Sequence, residues 1–136
     1  MQLSVTVRDA RLDAIESTIT TAPTLEIWSG TKPANCAASD AGDGAILCTM
    51  TLPSNWMNDA ATGAKTLLGT WSGTGAAAAG TGTAATHFRL KHTAVCHIQG
   101  TATGAAGAGP LKLSNISIAE DQPVTVETFT ITDGNA

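Results

Sequence analysis

The chain has 136 residues, the size of one domain, and only 13% of them are charged, for a formal net charge of -4; about 25% charged is typical. Its Lys and Arg residues are scattered, so it has no cationic footprint to neutralise successive phosphates, and a nucleic-acid partner is not expected. No segment approaches the roughly 20 apolar residues of a membrane span, and the N-terminal residues have neither the basic start nor the apolar run of a secretory leader, so a cytosolic product without membrane association is expected.

Residues 1–22 read as a helical arm. Ser4 is placed to cap it, and Leu12, Ile15 and Ile19 recur at three and four, with Arg8, Asp9, Arg11, Asp13 and Glu16 between them. Thr20, Thr21 and Pro23 end the pattern, because β-branched residues form helix poorly and the residue before a proline is pushed out of the α region. Residues 23–136 read as a β domain that forms one structural unit with the arm.

Strands are expected at 24–29 and 46–52, the second with Ile46, Cys48, Met50 and Leu52 on one face. The Gly, Ala, Asn and Asp stretch 30–44 separates them as a loop. Residues 55–63 read as a loop or single helical turn, 65–71 as a weaker strand, and the Gly, Ala and Thr segment 72–83 as an exposed loop. Next come two paired runs, 86–91 and 95–100. A three-residue connection, 92–94, sets Phe88 opposite Ile98 and Leu90 opposite Cys96, and turns His87, Arg89, Lys91, Val95, His97 and Gln99 outward as a mildly basic patch. After a loop at 102–109, strands are expected at 111–113, around Ile116 and Ile118, and at 124–132. In the last, the apolar parity changes between Val126 and Phe129, which calls for a β-bulge near Glu127 and Thr128. Short strands joined by irregular Gly-rich connections predict a mainly β protein: an antiparallel β-sandwich of jelly-roll type with one N-terminal helix.

Chemistry-bearing patterns are weak. His87, His92 and His97 are evenly spaced, but Arg89 would oppose His97 and no carboxylate lies nearby in sequence to orient a ligand, so no metal is expected. Asp40 and Asp43 with Gly44 have the look of a calcium loop without its closing Glu, and Glu120 and Asp121 read as turn residues. Gly73 and Gly75 lack the Lys-Ser or Lys-Thr of a phosphate loop, and no GxSxG elbow or Cys-His signature is present. Cys36, Cys48 and Cys96 have no CxxC spacing and read as reduced thiols in or near the core. No catalytic residue, cofactor or small-molecule substrate is assigned. The interface candidates are the apolar helix stripe Leu12, Ile15 and Ile19, then Trp28, the loop pair Trp56 and Met57, and Arg89 and His97.

Four stretches, Arg8-Asp-Ala-Arg-Leu-Asp-Ala-Ile15, Leu25-Glu-Ile-Trp-Ser-Gly-Thr-Lys-Pro33, His97-Ile-Gln-Gly-Thr101 and Gln122-Pro-Val-Thr-Val126 followed by Phe129-Thr-Ile-Thr-Asp-Gly-Asn-Ala136, span almost the whole chain. In this order they resemble a group of small tailed-bacteriophage proteins, hypothetical or structural. The resemblance implies a virion component made in the host cytoplasm, a capsid cement or decoration protein whose partners are the major capsid protein and copies of itself. A head-to-tail connector or tail protein is the alternative within that class. A carbohydrate-binding β-sandwich module is the alternative outside it, and requires an exposed tryptophan platform. A hydrolase requires two carboxylates or histidines gathered in a cleft.

Overall fold

The computed structural model describes residues 1–40 and 44–134. Helix α1, Val5–Ile19, starts where Ser4 adopts an extended conformation and its hydroxyl accepts from the Val7 amide, and it ends at Thr20, whose φ of 70° turns the chain away. The remaining elements are strands β1 (Thr24–Trp28), β2 (Ile46–Thr51), β3 (Ala64–Thr66), β4 (Ser72–Thr74), a 3-10 turn (Ala77–Ala79), β5 (Thr83–Ala84), β6 (His87–His92), β7 (Val95–Gly104), β8 (Leu111–Leu113), β9 (Ser117–Ile118) and β10 (Pro123–Thr132).

The main sheet runs β2-β1-β6-β7-β8-β10-β3, with β4 also paired to β10 and β5 paired separately to β9. It is a mixed sheet. β7 and β8 are parallel, whereas an all-antiparallel arrangement was expected. Parallel neighbours ordinarily need a crossover of a dozen or more residues. Residues 105–110 suffice here because the shared stretch runs only over Ala102–Gly104 and Leu111–Leu113. The sheet curls into a half-barrel: Gly75, just beyond β4, bridges Cys48 of β2, and the Ala76 amide donates to the Leu47 carbonyl. The curl wraps a core in which Trp56, Trp71, Phe129 and Phe88 form a chain of tilted and edge-on rings with centroids 5.2 to 6.0 Å apart. Each buried aromatic side chain of this size removes well over 100 Å² from water, so this chain contributes strongly to hydrophobic stabilisation.

Segment 72–83 is not an exposed loop. It contains β4, the 3-10 turn and the start of β5, and Ala79 is buried. Its small residues serve close approach rather than exposure. A Cβ on Gly73 would stand 2.8 Å from the Cys48 sulfur, and one on Gly75 would stand 1.9 Å from the Ala119 carbonyl oxygen. The glycines weighed as a phosphate loop are thus the residues that let β4 meet both β2 and the 118–119 segment.

The β6–β7 hairpin also departs from expectation. Its turn is the pair Thr93 and Ala94, both with positive φ (48° and 67°), as a two-residue hairpin turn requires. A shift in register between Leu90 and Lys91 then sets Leu90 opposite Ile98 and Phe88 opposite Gly100. Gly100 takes that place because a Cβ there would meet the Phe88 ring at 2.8 Å. In β10 the register shift falls between Val126 and Thr128, where the change of apolar parity located it.

Candidate interaction surface

Helix α1 carries two stripes. Leu12 and Ile19 are buried, and Ile15 packs partly buried against the core. The second stripe is acidic: Asp9, Asp13 and Glu16 recur at four and three along the helix and clasp the segment that leads into β3. Asp9 Oδ1 accepts from the Gly63 amide at 2.7 Å, Asp13 Oδ1 from the Ala60 amide at 2.9 Å, and Glu16 Oε1 from the Trp56 and Met57 amides at 3.2 Å. Lys65, in the middle of β3, reaches up between them, its ammonium 2.7 Å from Asp13 Oδ1, 3.0 Å from Glu16 Oε2 and 2.8 Å from the Asn58 carbonyl. The Trp56 indole donates to the Thr20 carbonyl, and Arg8 Nε donates to the Asp133 carbonyl.

The Lys65 side chain is 1% exposed. Burial opposes its charge, but the hydrogen bonds and charges of Asp13 and Glu16 outweigh that, and its pKa is raised. The Lys65 hydrogen bond, aided by the Ala60 amide, holds the Asp13 carboxyl below its usual range. The two carboxylates are therefore close together beside an open groove lined also by Asn55 and Asp59. Both carboxylates are engaged by one lysine and by backbone amides of segment 56–60. The arrangement is a helix clamp.

On the opposite side, the sheet face carrying Glu26, Trp28, His87, Arg89 and Lys91 is covered by segment 30–40. Arg89 donates to the carbonyls of Cys36 and Ala38 and pairs with Asp40; Lys91 pairs with Asp40 and with Glu26; Gln99 donates to the Pro33 carbonyl. The Trp28 ring lies parallel to His87, centroids 6.1 Å apart, donates to Glu26 and has the Lys91 ammonium over its face. Burial first, then the cations Arg89 and Lys32, lowers the His87 pKa. For Arg89 and Lys91, burial works against the charge, and their partners raise both values over it.

The expected outward basic patch is thereby corrected: His87, Arg89 and Lys91 are buried, at 3%, 1% and 8% exposure, because 30–40 forms a cover rather than a spacer. Trp28 does lie out of phase with Leu25 and Ile27, yet its face is covered too. Trp56 and Met57 are fully buried under the acidic stripe, not displayed on a loop. Among the interface candidates, the structure gathers Ile15, Ile19 and His97 in one groove between α1 and β7, lined also by Arg11, Ala14 and Ile98. His97 is exposed there. Beside it, no strand among the described residues pairs with the second edge of β7 from Val95 to Gln99, and Val95 is 56% exposed.

Cys36 and Cys96 were missed as a pair. Their sulfurs lie 2.8 Å apart, joining the cover to β7, whereas Cys48 is wholly buried in the core. Burial, then hydrogen bonding to Cys96 and its charge, pushes the Cys36 thiol up to about 11; burial alone does the same for Cys48, also to about 11. Among the described residues, no three of His, Cys, Asp and Glu gather as metal ligands would; Asp43, weighed with Asp40 as a calcium ligand, lies outside those residues.

Comparison with protein-family models, with curated proteins and with solved structures finds no match to this chain.

Proposed function

We propose that this chain is a structural protein of a tailed-phage particle, a cement or decoration protein that stabilises the shell through contacts with the major capsid protein and with copies of itself. The observation that carries this reading is the open edge of β7, Val95 to Gln99, lying beside the apolar groove of Ile15, Ile19 and Ile98. An unpaired edge offers backbone hydrogen bonds to a strand of a neighbour, and the adjacent groove offers an apolar seat for its side chains. The internal commitment of the charged groups supports the same reading. Lys65, Arg89 and Lys91 each hold one part of the chain to another, which leaves a sparsely charged, mildly acidic, Thr-rich exterior suited to packing. The two arms of the curled sheet face each other across the Phe88 and Phe129 edge contact, which supports the sandwich architecture read from the sequence. Trp28, Trp56 and Trp71 are all buried, so none provides the platform that a carbohydrate-binding module needs.

Mass spectrometry of purified particles from the host that carries the gene tests the proposal. The chain should be present in the particle in amounts comparable with a shell component. Particles that lack it refute the reading, and a map of the particle then distinguishes shell from connector or tail when it is present.

A further inference from the structure

We propose that Cys36 and Cys96 are a modification site: they form a reversible intramolecular disulfide by exchange with a small-molecule disulfide of the glutathione class. The two sulfurs stand 2.8 Å apart without any rearrangement of the chain. A bond requires an approach to about 2.05 Å, a movement that small side-chain rotations supply. Both residues are partly exposed, and a groove lined by Cys36, Ser39, Asp40, Val95 and Cys96 opens onto them, which gives a small disulfide access. The cover is already held over β6 and β7 by Arg89, Lys91 and Gln99, so the reduced chain presents one thiol to the other at high effective concentration.

The exchange balances in two steps. One cysteine loses its proton and attacks the small disulfide, forming a mixed disulfide and releasing one small thiolate, which takes up a proton. The second cysteine, also deprotonated, attacks the protein sulfur of the mixed disulfide and releases the second thiolate. Two protein S–H bonds are replaced by one S–S bond, and the small disulfide is reduced by two electrons to two thiols. The result closes a 60-residue separation between the cover and β7. This inference does not depend on the virion reading.

The test uses the purified full-length chain, first reduced and then incubated with millimolar oxidised glutathione. Thiols titrated after unfolding should fall from three to one. A digest at aspartate separates Cys36 from Cys48 at Asp40 and Asp43, and should show Cys36 linked to Cys96 with Cys48 unmodified. The midpoint of thermal unfolding should rise by about 10 °C and return on reduction. Cys36→Ser and Cys96→Ser should each stop at a glutathione adduct on the remaining partner, which requires only that the residual thiol be reached. Three thiols retained in the wild type, a link involving Cys48, or a stable glutathione adduct as the wild-type end product would each overturn the proposal.

Discussion

Replacing Lys65 by methionine keeps most of the length and apolar stem of the side chain and removes only the ammonium that joins α1 to β3. That ammonium meets Asp13 at 2.7 Å, Asn58 at 2.8 Å and Glu16 at 3.0 Å. Breaking a buried ion pair costs about 3–5 kcal/mol when the orphaned charge stays dry. Here the Asp13 side chain is 46% exposed and can regain water, and Glu16 keeps the amides of Trp56 and Met57. The loss should therefore be smaller, about 2–3 kcal/mol, or roughly 6–10 °C in Tm for a chain of this size. Thermal unfolding at neutral pH, followed by far-ultraviolet dichroism and by tryptophan fluorescence, measures it, and Trp56 beneath the clamp makes the second signal local. Because the folded pKa of Lys65 is raised, its contribution is whole below the ordinary value of 10.5 and is lost as pH climbs through the higher folded value. K65M should lack that alkaline loss. A Tm within about 2 °C of wild type would mean that apolar packing alone seats the helix, and the clamp argument would fail.

Gly75→Ala should cost about 3 kcal/mol, since the new methyl meets the Ala119 carbonyl at 1.9 Å, while Gly104→Ala, with open space around it, should stay within about 0.5 kcal/mol; equal stability of the two by urea unfolding would remove the close-approach account of β4. His87 has a lowered pKa, so below 6.5 the unfolded chain takes up a proton that the folded chain refuses, and stability falls with pH from there toward the lower folded value. His87→Phe, which keeps a ring against Trp28, should flatten the Tm profile as pH falls below about 6.5, and an unchanged slope would assign the acid sensitivity elsewhere. Ser4→Ala should destabilise by about 0.5–1 kcal/mol through loss of the exposed cap to Val7, read as a drop in Tm; no change would show that the cap contributes nothing measurable.

How far the fold was legible varied with the kind of signal. The helix and its Ser4 cap, the strands at 24–28 and 46–51, and the bulge in β10 were written in local periodicity, which acts over a few neighbouring residues. The hairpin register was not, because two positive-φ residues without glycine, Thr93 and Ala94, form its turn. The candidate site was legible only in part. Ile15, Ile19 and His97 do meet in one groove, but Trp28, Trp56, Met57 and Arg89 looked like surface residues only because their covers are distant in sequence. The acidic stripe Asp9, Asp13 and Glu16 did carry a local signal, a spacing of four and three that matches one helix face. Its partners, the amides of segment 56–63 and Lys65, carried none.

Composition and pattern by themselves determined a mainly β chain with one capped helix, few charges and scattered cations. Tertiary structure alone decided what those charges do. Lys65 and Arg89 look like surface residues in the sequence, since burying an isolated cation is prohibitively costly. They are buried because α1 and segment 30–40 bring carboxylates and carbonyls onto them from 49 to 53 residues away, among them Asp13 and Glu16 on Lys65, and Asp40, Cys36 and Ala38 on Arg89. The same long-range closure sets Cys36 against Cys96, a proximity that no spacing along the chain encodes.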